Sequence, residues 1–139
     1  MQLNIEDFPE RKTAEIQRIV SRYEAIFPDW LKSLTFFNRT YYKTDSKETI
    51  CQVNVEMDYL RASIEIFEPF WNISCAAQVL HLRHEFIHII LAPLSICAED
   101  ILGASFRTDE RGPAYAFMKK KLNEAIEATT VEIAKHWIL

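Results

Sequence analysis

The chain has little that would break it into parts. It carries only two glycines and five prolines in 139 residues, with no low-complexity run and no internal repeat. No stretch reads as a linker, so one domain spanning residues 1–139 is expected. Its three cysteines, Cys51, Cys75 and Cys97, are odd in number, widely spaced and without a CxxC pair. They read as reduced, mostly core thiols of an intracellular protein, with a thiol on a metal site as the alternative. No window reaches the ~18 consecutive apolar residues of a membrane span. MQLNIEDFPERK at the start lacks a basic leader and an apolar core, so no signal peptide, no membrane and a cytoplasmic location are expected. The net charge is −4, and Lys119–Lys121 is the one basic run. That run reads as a solvated helix face and argues against a nucleic-acid partner.

Hydrophobic residues make up 49% and charged residues 26%, the balance of an ordinary globular domain. After Pro9, the residues Ile16, Ile19, Val20, Tyr23, Ile26 and Phe27 form one apolar helical face that stops near Pro28. A short helical turn is expected over 29–34. The period then changes. TFFNRTYY, residues 35–42, is β-branched and aromatic and runs into the polar turn KTDSKE. Cys51, Val53, Val55 and Met57 alternate with polar residues, as do Leu60, Ala62, Ile64 and Ile66 after a turn near Asp58-Tyr59. These predict a small antiparallel meander of about three strands ending at Pro69. A helical period returns at Ser74 and is expected to end at Ala92-Pro93. A weak helical patch follows at 98–104, and Pro113 suits the first turn of a last helix running almost to Leu139. The fold class expected is α+β.

The chemistry sits in HLRHEFIHIILAPL, residues 81–94, where His84, Glu85 and His88 interrupt the most apolar stretch. Residues four apart lie one helical turn above each other, so His84 and His88 present their imidazoles to one point. That spacing suits zinc, Zn2+, and the adjacent Glu85 can reach a water there as a general base without being a ligand. Charged groups embedded in an apolar helix need partners, which favours metal over coincidence. A third protein ligand is still required. Leu91 and Leu94 stand where a longer metalloprotease signature would place a glycine and a histidine. In the last helix Leu122, Ile126, Thr129, Ile133 and Trp137 define an apolar stripe, and Glu127 lies about 100° from Ile126 on its flank. Glu127 is therefore the expected third ligand. Glu124 is held in reserve, and His136 is a further candidate near the C-terminus. His81 could lie on the rim of the cleft, and Arg111 and Tyr115 could polarise a substrate carbonyl if their segment folds over the metal.

HEFIH followed by a glutamate on a later helix, within NEAIEATTVEIA, resembles the gluzincin clan of zinc metallopeptidases. The compact order of elements resembles the minigluzincins and small phage or prophage HExxH proteins. The motif-level likeness covers residues 75–135, and the strand region is similar in layout alone. The resemblance implies a zincin-like domain in which His84, His88 and Glu127 hold zinc and Glu85 activates water. The asparagine-glutamate start of the larger members' second motif is similar to Asn123-Glu124, whereas the glutamate-alanine form of small members is similar to Glu127-Ala128. The function expected is a zinc-dependent metallopeptidase whose peptide or protein substrate lies along an exposed strand edge. The alternative is a non-catalytic zinc-binding regulatory or interaction module.

Overall fold

The structure, a computed structural model, describes residues 1–39, 49–106 and 112–137. Among the described residues it is an α+β fold of four strands and three α-helices in the order β1 (Gln2–Glu6), α1 (Glu10–Tyr23), β2 (Ser33–Asn38), β3 (Cys51–Glu56), β4 (Arg61–Ile66), α2 (Cys75–Ser105) and α3 (Pro113–His136). The sheet runs β1-β2-β4-β3. Its first two pairings are parallel and only β3–β4 is antiparallel. The expected three-strand antiparallel meander is thus replaced by a four-stranded mixed sheet. Alternation identifies a strand and its buried face but carries no information about a parallel neighbour, and β1 offers only Leu3 and Ile5 as signal.

Register explains the core. Ile5, Phe36, Ile64 and Val53 form one row across the four strands, and Leu3, Leu34, Ala62 and Val55 form the next. Side chains two apart share a face, so these rows project together, while Thr35, Ser63, Gln52 and Asn54 project oppositely. Ile16, Ile19, Val20 and Tyr23 of α1 and Leu82, Phe86 and Ile89 of α2 join the same cluster. Both helices therefore lie on one face of the sheet. Phe86 is the wedge between layers, with ring centroids 5.4 Å from Tyr23 and 5.0 Å from Phe27.

Three local expectations change. Residues 29–34 do not form a helix. After a turn closed by Leu31 N–H to Pro28 C=O, Lys32 N–H donates to Leu60 C=O at 2.7 Å and the chain enters β2. Sheet pairing overrides the weak local preference. The strand expected over 35–42 is β2, ending at Asn38, and the remainder of that stretch with its polar turn lies outside the described residues. Helix α2 does not stop at Pro93 but continues to Ser105, absorbing the weak patch at 98–104. Pro93 removes the N–H that would bond Ile89 C=O, a local cost of about 3 kcal/mol. The Ser95 hydroxyl donates to Leu91 C=O at 3.0 Å, and α3 packs beside α2 on both sides of the proline. At the other end the Ser74 hydroxyl caps α2 by accepting from Ala77 N–H. The cysteines also depart from expectation. Cys75 and Cys97 are exposed on α2 and Cys51 is half-buried, so none is a fully buried core thiol.

Candidate metal centre

His84 and His88 stand on the side of α2 that meets α3, with Nε2 atoms 3.1 Å apart. Glu127 of α3 completes the group. Its Oε1 is 3.0 Å from His84 Nε2 and its Oε2 3.2 Å from His88 Nε2. The carboxylate reaches them because α3 approaches closely. Its fully covered residues are Thr130 and Ala134, small side chains on the same face as Glu127. This shifts the expected stripe: Thr129 is exposed, its hydroxyl donating to Ala125 C=O, while Thr130 carries the contact. Arg83 ties that end of α3 down, donating from Nη1 to Ala134 C=O at 3.0 Å and from Nε to the Tyr23 hydroxyl at 2.9 Å.

The donor set fits a metal ion. Two ligands at ~2.0–2.1 Å from one tetrahedral centre stand ~3.3–3.4 Å apart; the two imidazole nitrogens are 3.1 Å apart, and one donor atom from each of the three residues lies within 4.8 Å of the others. A neutral imidazole nitrogen either carries a proton or offers a lone pair. Two of them and a carboxylate converging on one point are able to share a cation. Burial, reinforced by any charge on His84, pushes the His88 pKa below the usual histidine value, while Glu127 opposes the shift. A neutral, lone-pair-bearing His88 is the form a metal takes. Among the described residues no fourth His, Cys, Asp or Glu joins the group.

Glu85, only 9% exposed, points from the same turn toward the edge strand β3. Phe67 N–H donates to Ile50 C=O, and antiparallel alternation then turns the peptide groups of Cys51, Val53 and Val55 outward. Val53 N–H donates to Glu85 Oε2 at 3.0 Å, and the Cys51 thiol lies 3.9 Å from Oε1. Burial raises the Glu85 pKa to about 7. The Val53 hydrogen bond and the Cys51 thiol oppose that rise, and the Glu127 charge adds to it. Burial and the Glu85 charge push the Cys51 thiol well above its ordinary range, so it stays protonated and donates.

Space opens on both sides of the triad. A cleft of about 500 Å3 includes Cys51, His81, Val131 and Lys135 in its walls, and a second of about 340 Å3 is lined by Val55, Ile96, Glu99 and Asn123 among others. Glu127 borders both, so one cleft opens beside the start of β3 and the other beside its end. His81 lies in the first cleft, where burial and His84 lower its pKa. The other candidates are elsewhere. Glu124 is on the surface, 3.2 Å from Lys121 and 3.8 Å from Lys120. His136 is exposed and 3.6 Å from Glu132. Tyr115 packs against Phe106, about 18 Å along α3 from Glu127, and Arg111 lies outside the described residues.

Sequence reasoning missed Cys51, the Val53 N–H and Arg83 as neighbours of the site. Arg83, adjacent to the motif in an apolar helix, was the one with a readable signal. No protein family, no curated protein and no solved structure matches this chain.

Proposed function

We propose that the chain is a zinc-dependent, gluzincin-like metallopeptidase that hydrolyses peptide bonds. The observation that carries this reading is the convergence of His84, His88 and Glu127 beside a buried carboxylate, between two clefts that open at the ends of an edge strand. Zinc held by those three residues would supply a Lewis acid and lower the pKa of a water toward ~7. Glu85 handles the proton. Its Oε2 is committed to Val53 N–H. Oε1, with only the long thiol contact at 3.9 Å, is the oxygen that accepts a proton from the attacking water and returns it to the leaving amine. The outward peptide groups of Cys51 and Val55 offer an extended substrate main-chain partners on either side of Val53. Helix α2 is long and apolar enough to cross a membrane by length and composition. The packing of its first half on the sheet and on α3 supports reading that half as a core helix, beside a site that serves a peptide or protein partner.

One observation favours a second reading, a silent zinc-binding module of the phage or prophage type. Both Glu85 oxygens already have protein partners, as in a strut between α2 and β3.

A single set of variants tests both. The protein should bind about one zinc, His84→Ala should abolish binding, and Glu127→Ala should weaken it far more than Glu124→Ala. Glu85→Gln should keep the metal and lose hydrolysis of casein or a peptide library. Zinc binding with no hydrolysis in the unaltered chain would decide for the silent module. Retention of zinc by the His84→Ala, His88→Ala double variant would remove the site from this motif.

A further inference from the structure

Beyond Ala92, α2 has no buried residue. Ser95, Ile96 and Glu99 turn toward Asn123 and Ile126 of α3 and line the second cleft. At about 100° per residue, Leu94, Cys97, Ala98, Ile101 and Ala104 fall on the opposite side of the helix. Leu94 is 70% and Ile101 62% exposed, Cys97 and Ala104 are exposed, and Ala98 is partly so. The result is an uncharged strip about 15 Å long whose members repeat at heptad-like spacings of three and four.

The order of sizes along the strip identifies its occupant. Laid antiparallel on a second copy so that Leu94 meets Ala104, the strip also sets Ile101 against Cys97. Every large side chain then faces a small one, and the two-fold axis reproduces both pairs on its other side. A heterologous partner would need its own complementary relief, whereas this strip complements itself. No charged side chain lies on it to be buried unpaired.

We propose that the distal half of α2 is a self-association surface through which two copies pair as antiparallel helices about a two-fold axis that crosses the strip midway between Leu94 and Ala104. The pairing lies on the far side of the helix from both clefts and leaves them open. One helix–helix crossing buries far less than the ~1,600 Å2 of a standard interface, so the dimer is weak, forming only at micromolar concentrations or above.

Sedimentation velocity on the unaltered chain from about 1 µM to 1 mM should show the mass rise toward two chains. Leu94→Glu with Ile101→Glu should hold it at one. Because both positions are exposed, the circular dichroism spectrum should not change. A measurement needing no substitution is maleimide labelling under reducing conditions. Cys97 should react several-fold more slowly at high protein concentration, while exposed Cys75, at the other end of α2, serves as the internal control. One chain at every concentration, or Cys97 and Cys75 slowing together, would overturn the proposal. So would vesicle binding by a chain monomeric throughout, lost in the double variant on phosphatidylglycerol–phosphatidylcholine vesicles, which would assign the strip to lipid.

Discussion

The two halves of α2 are one continuous helix with opposite burdens. Residues 75–92 hold every buried side chain of the helix, and residues 93–105 hold none. The first half meets the sheet, α1 and α3 and carries the histidines. The second half has α3 beside it and turns Leu94 and Ile101 to solvent. Both halves are apolar in sequence. What separates them is how many layers cover them, so apolarity marks a surface that is able to bury and leaves open whether anything buries it.

The sharpest way to break that contrast is to remove one large apolar side chain from each half. Phe86 is fully buried between Tyr23 and Phe27, and Phe86→Ala should lower unfolding stability by about 3–5 kcal/mol in urea titrations. Ile101→Ala, measured at a concentration where the chain is monomeric, should shift it by about 0.5 kcal/mol or less. Comparable losses would mean the distal half is covered after all.

The next largest effect belongs to the charge buried in the first half. The Glu85 pKa of about 7 lies above the ordinary carboxyl value of 4.5. Between those values the folded metal-free protein binds more protons than the unfolded one, so stability falls as pH rises. The loss should approach about 3 kcal/mol by pH 8, from 1.36 kcal/mol per pKa unit. Glu85→Gln should flatten this dependence in chelator-treated protein and be the more stable variant at pH 8. An unaltered slope between pH 5 and 7 would place the titrating group elsewhere.

A smaller effect should appear at the junction of the halves. Pro93→Ala restores a donor for Ile89 C=O and should stabilise the protein by about 1–2 kcal/mol, less than the full helix-interior penalty because proline also restricts the unfolded chain. Destabilisation in thermal melts would show that Pro93 fixes a bend on which the α2–α3 packing depends.

The motif was legible because its logic is local. His84 and His88 are one turn apart in any helix, and no tertiary information is needed to see that they face one point. The amphipathic face of α1 and the alternation of β3 and β4 were legible for the same reason. Choosing Glu127 over Glu124 drew on helical phase alone, and the stripe used for that choice was displaced by one residue, with Thr130 buried where Thr129 was expected. The phase argument still indicated the carboxylate that reaches the histidines, because Glu127 shares the face of Thr130 and Ala134.

Other features depended on partners distant in sequence. The parallel pairing of β1, β2 and β4 depends on which strands become neighbours, and a two-residue alternation is the same for either direction. Pro93 has a strong local meaning, yet the helix passes through it because contacts made by other segments outweigh one lost hydrogen bond. The setting of Glu85 was equally hidden, since Val53 and Cys51 lie more than thirty residues away. By itself the sequence determined which side chains are able to bind a metal, because ligand type and one-turn spacing are properties of a short helix. Only the tertiary structure decided that Glu127 meets them, that Glu85 is held against an edge strand, and that half of α2 remains uncovered, because each depends on which surfaces the chain brings together.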